Sequence, residues 1–159
     1  MSDRHDPPSV LVVDDQADLR RAIRRVLERA GFAVSEAGDG RAAARMFRRL
    51  GPDLVLLDIL MPRHEGIEAI VEIRETCPGA RILAMSGGGN FDAGEVLRLA
   101  ELLGATGTLR KPFGNAELLA AIRRCLPPPR RLSAAASAGC INVDPIGSPV
   151  PQANPIPKS

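Results

Sequence analysis

The sequence of 159 residues contains neither tryptophan nor tyrosine, and it has only two histidines and three cysteines. The cysteines, Cys77, Cys125 and Cys140, are widely spaced and form no C-x-x-C pair, so they do not predict a disulfide framework. Neither His5 nor His64 has a cysteine or a second histidine at the spacing of a zinc site. These absences argue against a disulfide-rich secreted protein and against a zinc protein.

Long hydrophobic runs are also missing. A membrane-spanning helix needs about 20 consecutive apolar residues, and no run in this sequence approaches that length. The N-terminal segment MSDRHDPPS is polar and lacks the apolar core of a secretory signal. We therefore expect a cytoplasmic protein that does not insert into a membrane.

Positive and negative charges are nearly balanced. The net charge is +2, and all of it lies after residue 126, because residues 1–126 hold 18 basic and 18 acidic side chains. A surface that binds DNA or RNA directly needs clustered excess positive charge, which a neutral body does not supply. Of the 21 basic residues 19 are arginine, so Lys111 is the one lysine of the body. The composition predicts no direct contact with nucleic acid and makes Lys111 unusual within this chain.

Proline divides the chain into a body and a tail. Eight of the 14 prolines lie in residues 127–159, which have little apolar periodicity. This composition predicts a Pro-rich disordered tail, either inert or a docking peptide, that is too short for a typical catalytic or DNA-binding domain. We expect a flexible N-terminus over residues 1–8, one folded domain over residues 9–126 and the tail over residues 127–159.

Strand and helix signals alternate through the body. Continuous short apolar runs are typical of parallel strands that are buried on both faces. The predicted strands are Val10–Val13, Phe32–Ser35, Leu54–Leu57, Ile82–Met85 and Thr106–Leu109. Apolar residues at helical spacing predict helices over 19–30, Ala42–Leu50, Glu65–Thr76, Ala93–Leu103 and Asn115–Leu126. Five strands alternating with five helices indicate an α/β fold, a doubly wound parallel sheet whose ligands bind at the carboxyl ends of the strands.

Polar residues follow four of these strands at their carboxyl ends: Asp14 and Asp15, Asp58, Ser86, and Lys111. Each of them alone has a simpler explanation. An aspartate often caps the next helix, a serine can begin a loop, and a lysine can be a solvated charge. Because the carboxyl ends of parallel strands meet at one edge of a sheet, the five residues together predict a functional site.

The residue types favour the chemistry of a phosphoryl group. Three carboxylates that lie close together repel each other and stay ionised only beside a cation. Oxygen ligands without histidine or cysteine suit Mg²⁺, which often binds a phosphate oxygen as well. Lys111 supplies a positive charge and Ser86 a hydroxyl donor for a phosphoryl oxygen. Asp58 is then the nucleophile that forms an acyl phosphate.

Four segments resemble the receiver domain of bacterial two-component response regulators. They are VLVVDDQ (10–16), LVLLDILMPRHEG (54–66), ILAMSGG (82–88) and LRKPF (109–113). The similarity covers about residues 9–126, with the motifs in order and at the expected spacing. It implies the flavodoxin-like strand order 2-1-3-4-5. It also implies a phosphoprotein of a phosphorelay, whose partner is a sensor histidine kinase or a histidine phosphotransfer protein.

The resemblance assigns a role to each residue of the acidic group. It implies that Asp58 is the phospho-acceptor. It further implies that Asp14, Asp15, Asp58 and the backbone carbonyl of Leu60 bind Mg²⁺.

On the later strands, the resemblance implies that Ser86 is the switch hydroxyl and that Lys111 pairs with the phosphoryl group. It implies a cis bond between Lys111 and Pro112, a geometry that proline makes accessible. The output surface would be the fourth helix, the fifth strand and the fifth helix, in contact with an unidentified protein target.

The sequence departs from the family at two positions. An aromatic residue usually stands three residues before the lysine, and Thr108 occupies that position here. The aromatic switch therefore cannot operate in its usual form. A link between the hydroxyls of Ser86 and Thr108, or repacking by Phe91, could replace it. Leu60, two residues after Asp58, offers no polar side chain to orient an attacking water, so we expect slow dephosphorylation.

Three functions follow from these patterns. The leading one is a single-domain response regulator that signals by protein–protein contacts and is not a dedicated enzyme. The second is a pseudo-receiver, which has the same fold but binds partners without phosphorylation. The third, an aspartyl-phosphate hydrolase with a D-x-D motif, is disfavoured because Leu60 stands where the second aspartate belongs. A nucleotide loop at Gly87–Gly89 is disfavoured because no phosphate-loop pattern accompanies these glycines.

Overall fold

Five short strands form the centre of the structure. The computed structural model describes residues 6–87 and 92–127. The strands are β1 (Ser9–Val13), β2 (Ala33–Ala37), β3 (Leu54–Asp58), β4 (Ile82–Ser86) and β5 (Gly107–Arg110). All neighbouring strands are parallel, and their order is β2-β1-β3-β4-β5. This order confirms the predicted doubly wound, flavodoxin-like sheet.

Helices connect the strands and cover both faces of the sheet. They are α1 (Ala17–Arg29), α2 (Gly40–Leu50), α3 (Glu65–Thr76), α4 (Ala93–Leu102) and α5 (Asn115–Cys125). Apolar residues of α1 and α5 pack in one core cluster, and those of α2, α3 and α4 pack in the other. Among the described residues, no helix has both the length and the apolar character needed to cross a membrane.

Two interior strands, β3 and β4, have the burial that is typical of a parallel sheet. Every residue of β3 and β4 is buried, because helices cover both faces. Successive side chains of a strand point to opposite faces. Accordingly, Leu56 packs with α1 and α5, whereas Leu57 packs with α2, α3 and α4. The polar residues that end these strands are therefore held at an edge between two packed cores.

Each strand and helix predicted from the sequence is present, with ends that differ by at most two residues. The bounds of α3 agree with the prediction at both ends. Helix α2 starts two residues earlier than its apolar pattern indicates, because Asp39 caps it by accepting a hydrogen bond from the backbone N–H of Ala42. It ends at Gly51, whose φ of 55° is in the left-handed region.

Some predicted features lie outside the described residues. The flexible N-terminus is outside them up to residue 5, and the Pro-rich tail is outside them from residue 128 onward. Gly88, Gly89 and Phe91 are also outside them. A single 3-10 turn, Pro62–His64, was not predicted and leads directly into α3.

Close backbone packing brings α3 to the end of β3. A Cβ atom added to Gly66 would overlap the main-chain oxygen of Asp58. Only glycine lets the first turn of α3 approach this strand end so closely. The start of α3 is thereby fixed against the residue that the sequence singles out as the nucleophile.

Candidate functional site at the carboxyl edge of the sheet

Two of the predicted aspartates lie side by side beneath the surface. Asp14 directly follows β1, and Asp58 is the last residue of β3. Val13 and Leu57 are paired in register, which brings the two aspartates to the same edge. Asp14 is completely buried and Asp58 is 3% exposed. Buried carboxylates require hydrogen bonds or a neighbouring cation.

Lys111 provides that cation. Its ammonium nitrogen lies 2.8 Å from Oδ2 of Asp14 and 3.0 Å from Oδ2 of Asp58. The residue directly follows β5, which is separated from β3 by β4. The long lysine side chain therefore reaches across β4 to Asp58 at the end of β3, and further to Asp14, which follows β1 on the far side of β3.

Backbone N–H groups hold the remaining oxygens of the two aspartates. The N–H of Leu60 donates to Oδ1 of Asp58 at 3.0 Å, and the N–H of Gln16 donates to Oδ1 of Asp14 at 2.8 Å. Each carboxylate thus has one oxygen fixed by its own loop and the other shared with Lys111. This arrangement fixes the direction in which each carboxylate faces.

Burial and pairing shift the pKa values of this group in identifiable directions. Burial raises the pKa of Asp58 above its ordinary value of 3.8, although the charge and hydrogen bond of Lys111 oppose the change. Burial acts to lower the pKa of Lys111. The hydrogen bond to Asp14 and the charges of both aspartates outweigh it, so the pKa of Lys111 is raised. Lys111 therefore remains charged, and an additional cation would favour the ionised form of Asp58.

Asp15 completes an acidic group with a different exposure. Asp14, Asp15 and Asp58 each place one carboxylate oxygen within 4.8 Å of the oxygens of the other two. Unlike the other two, Asp15 is exposed to solvent. A donor set of carboxylate oxygens, open to water on one side, fits Mg²⁺, which keeps several of its waters. The three residues together could hold this ion.

Ser86 contributes a hydroxyl with unused hydrogen-bonding capacity. The residue ends β4 and is completely buried, and its Oγ atom has no hydrogen-bond partner among the described residues. Its main-chain oxygen accepts a hydrogen bond from the N–H of Lys111 at 2.7 Å. A buried hydroxyl without a partner costs free energy unless a ligand or another group satisfies it. Ser86 therefore has an available hydroxyl at the carboxyl end of β4, the strand next to the one that ends in Asp58.

A cavity opens over Asp58 and Lys111. Its volume is about 380 Å³. It is lined by Gln16, Leu19, Asp58, Leu60, Gly87, Lys111, Pro112 and Phe113. The Lys111–Pro112 peptide bond is cis. A Cβ atom on Gly87 would lie 2.5 Å from the Cβ of Lys111, so the glycine leaves room for the lysine side chain.

Thr108 has a different partner from the one its position suggested. Its hydroxyl donates to Oε1 of Glu101 on α4 at 3.3 Å. Within the described residues, the hydroxyls of Thr108 and Ser86 are not hydrogen-bonded to each other. Thr108 is paired in register with Ala84, two residues before Ser86, so both hydroxyl residues belong to the same face of the sheet. Phe91, the other suggested replacement for the aromatic switch, lies outside the described residues.

Sequence reasoning missed several residues of the site. Gln16 and Leu19 line the cavity because the first turn of α1 follows the acidic pair directly. Arg20, one turn along α1, donates to the main-chain oxygen of Asp14 at 2.7 Å. Nothing in the sequence distinguishes this arginine from the others on α1, since its partner becomes apparent only when the chain folds.

Comparison with known protein families agrees with this geometry. The model of the response regulator receiver domain matches residues 10–123. This chain belongs to that family. The match agrees with the resemblance to a receiver domain that the four sequence motifs indicated.

Two curated relatives show how this receiver relates to longer and shorter proteins. The chain is 38% identical over 113 residues to the chemotaxis protein CheY of Halobacterium salinarum, covering 71% of this chain and 92% of that protein. It is 38% identical over 121 residues to the response regulator MprA of Mycolicibacterium vanbaalenii, covering 76% of this chain and 51% of that protein. The receiver thus spans most of the first relative and about half of the second.

A solved structure supports the same assignment. The crystal structure of the receiver domain of NtrX from Brucella abortus superimposes with a TM-score of 0.68 at 31% sequence identity. The match covers 74% of this chain and 97% of that domain. The likeness therefore extends over nearly the whole of a solved receiver domain.

Proposed function

We propose that this receiver accepts a phosphoryl group on Asp58 in a Mg²⁺-dependent reaction. The observation that carries the proposal is the convergence of Asp58, Asp14 and Lys111 from three strands, with carboxylate-to-ammonium distances of 2.8 and 3.0 Å. The buried, unpartnered hydroxyl of Ser86 beside them supports it. Carboxylate nucleophile, cation and hydroxyl donor are the groups that phosphoryl transfer to an aspartate requires.

The donor in this proposal is the phosphohistidine of a sensor histidine kinase or a histidine phosphotransfer protein. An oxygen of Asp58 attacks phosphorus and forms a P–O bond. The N–P bond of the donor breaks, and its electron pair returns to the imidazole nitrogen. The products are an acyl phosphate on Asp58 and an unphosphorylated histidine. Atoms and charge balance without an oxidant or a further co-reactant.

The other residues of the site have separate roles in this proposal. Asp14, Asp15, Asp58 and the backbone carbonyl of Leu60 would hold Mg²⁺, which supplies positive charge to the phosphoryl oxygens. Lys111 exchanges its contact with Asp58 for one with a phosphoryl oxygen. Ser86 donates its free hydroxyl to another oxygen.

Signalling in this proposal is by protein–protein contact. When Ser86 turns toward the phosphoryl group, the change passes along the same face of the sheet to Thr108. The output surface comprises α4, β5 and α5, and it contacts a downstream protein target. We propose a response regulator of the cytoplasm whose receiver domain is a phospho-acceptor and not a dedicated enzyme.

Intact-mass spectrometry after incubation with acetyl phosphate tests the proposal. The chain lacks tryptophan, so a fluorescence-quench assay has no signal, whereas mass reports the modification directly. We expect a gain of one phosphoryl group with Mg²⁺ and none with EDTA or in Asp58→Ala. Asp53→Ala is a matched control, because it removes a carboxylate beside Ser9 at the opposite end of the strands. Incorporation that is unchanged in Asp58→Ala would contradict the proposal.

A pseudo-receiver is the second candidate. Thr108 at the aromatic switch position favours it, as does the contact of Lys111 with both buried carboxylates, which offsets part of their charge without another cation. A calorimetric Mg²⁺ titration separates the two functions. Saturable Mg²⁺ binding that is lost in Asp14→Asn supports the phospho-acceptor. Absence of Mg²⁺ binding, together with no gain of mass from a phosphorylated kinase, supports the pseudo-receiver.

A further inference from the structure

Arg20 connects the acidic group to the edge of the sheet. From the first turn of α1, its Nη1 donates to the main-chain oxygen of Asp14 at 2.7 Å. Its Nε donates to Oε1 of Glu36 on β2 at 3.2 Å. The side chains of Arg20 and Glu36 are 19% and 20% exposed, so the link is largely shielded from water. One guanidinium therefore holds the loop after β1 and the neighbouring strand together.

The contact acts on the peptide unit between two of the predicted Mg²⁺ ligands. A peptide bond is planar, so fixing the carbonyl of Asp14 also fixes the orientation of the N–H of Asp15. Within the described ranges 6–87 and 92–127, no hydrogen bond or ion pair restrains the side chain of Asp15. The position of its carboxylate therefore depends on the backbone that Arg20 holds.

The electrostatic effect of Arg20 on the acidic group is largely offset. Glu36 balances its charge and also accepts a hydrogen bond from Arg24 at 2.9 Å. Arg24 in turn pairs with Glu28 at 2.7 Å. This chain of ion pairs leads away from the site toward the surface of α1. Arg20 therefore influences the acidic group mainly by fixing the position of the backbone at Asp14.

We propose that Arg20 is a positioning residue for Mg²⁺ binding, because it sets the backbone from which the Asp15 carboxylate projects. The inference rests on the proposed function, since it concerns the same acidic group. Partners that orient metal ligands without touching the metal commonly change affinity by about tenfold or more when they are removed. Arg20 is expected to contribute an effect of this size.

Arg24 provides a matched control. It lies on the same helix and shares the partner Glu36, but the described structure gives it no hydrogen bond to Asp14. We would measure the Mg²⁺ dissociation constant by calorimetry and the urea unfolding of each protein in EDTA. Arg20→Gln is expected to weaken Mg²⁺ binding about tenfold. Arg24→Gln is expected to change the dissociation constant less than about twofold, because Arg24 does not hold the Asp14 carbonyl. It is also expected to cost less stability, because its ion pairs are more exposed.

The conservative variant keeps the test informative if Arg20→Gln folds poorly. Arg20→Lys retains one donor for the Asp14 carbonyl and is expected to restore most of the Mg²⁺ affinity. Equal Mg²⁺ dissociation constants for the Arg20→Gln and Arg24→Gln variants would overturn this inference and leave the proposed function standing. Equal constants for wild type and Arg20→Gln would do the same. A wild-type protein that binds no Mg²⁺ and gains no phosphoryl group would overturn the proposed function as well.

Discussion

The ammonium group of Lys111 lies 3.0 Å from Oδ2 of Asp58 and joins β5 to β3 across the intervening β4. The same group also donates to Asp14 at 2.8 Å. Both carboxylates are buried, and Lys111 is the cation that pairs with them in the described part of the chain. The side chain of Lys111 therefore affects both the stability of the domain and the ionisation of Asp58.

Removal of Lys111 should destabilise the protein most when Mg²⁺ is absent. Loss of one partner from a buried ion pair leaves an uncompensated charge. We therefore expect Lys111→Met to lower the free energy of unfolding in EDTA by about 3 kcal/mol. Mg²⁺ should recover part of the loss, because it supplies positive charge to the same carboxylates. Urea unfolding followed by circular dichroism measures both effects.

The control for Lys111→Met is Arg21→Met, which removes an exposed pair with Asp18. It should cost less than about 1 kcal/mol, with or without Mg²⁺. A loss of unfolding free energy in Lys111→Met that is the same in EDTA and in Mg²⁺ would contradict the expectation that Lys111 and Mg²⁺ interact with the same carboxylates.

Gly87→Ala should disturb the lysine without removing it. The new methyl group would meet the Cβ of Lys111 at 2.5 Å, so the backbone at Gly87 or at Lys111 must shift. Small displacements of a catalytic group are costly, and we expect phosphorylation by acetyl phosphate to slow by about tenfold or more. Gly114→Ala is the control, since nothing lies within 4 Å of its added Cβ. Similar rates for the two variants would show that the position of Lys111 tolerates the change.

Ser86→Ala should stabilise the unphosphorylated protein, against the usual direction for a change in a buried core. The wild-type hydroxyl is buried without a partner among the described residues. Because an unsatisfied buried hydroxyl costs about 1–3 kcal/mol, its removal should raise the free energy of unfolding by about 1 kcal/mol. Urea unfolding in EDTA tests the sign. A destabilised variant would mean that the hydroxyl already has a partner, such as an ordered water.

Leu60→Asn should shorten the lifetime of the phosphorylated state. The apolar side chain of Leu60 lines the cavity next to Asp58 and cannot orient an attacking water. An amide at this position can donate and accept hydrogen bonds, so hydrolysis of the acyl phosphate should accelerate. The loss of the phosphoryl mass over time, after removal of acetyl phosphate, measures the rate. Leu60→Met is the apolar control, and an unchanged lifetime in the asparagine variant would refute the expectation.

Glu36 should contribute stability that acid removes. The hydrogen bond from Arg24 holds the pKa of Glu36 below its ordinary value of 4.5, although burial opposes the shift. A lowered pKa in the folded state stabilises the protein above the unfolded pKa, and this contribution is lost as the pH falls through the folded pKa. Wild type should therefore lose more stability than Glu36→Gln as the pH is lowered through this range.

Urea unfolding at a series of pH values tests this expectation for Glu36. Glu75→Gln is the comparison, because Glu75 is exposed and has no ion pair in the part of the chain that the structure describes. Parallel pH profiles for wild type and Glu36→Gln would show that the ion pairs with Arg20 and Arg24 add nothing to stability.

The sequence predicted the sheet and the residues at its edge because both depend on local patterns. Continuous apolar runs such as Leu54–Leu57 require burial on both faces, which a parallel sheet provides. A polar residue placed directly after such a run must emerge at the carboxyl edge. The positions of Asp58 and Lys111 therefore followed from the ends of their strands.

Contacts made by long or surface side chains were not predictable in the same way. The partner of Arg20 is a main-chain oxygen, which has no signature in the sequence. The partner of Thr108 is Glu101, because the end of α4 lies against β5 in the folded chain. Such contacts depend on how the helices pack. The identity and sequence position of the two residues do not specify that packing.

Lys111 is separated along the chain by 97 residues from Asp14 and by 53 residues from Asp58. No fragment that ends before Lys111 contains the complete group, and none that begins after Asp14 does. Chemical reactivity at Asp58 is therefore expected to report on the assembly of the four neighbouring strands β1, β3, β4 and β5. Under the proposed function, incorporation of a phosphoryl group would serve as an assay for correct folding in a protein that has no tryptophan to follow.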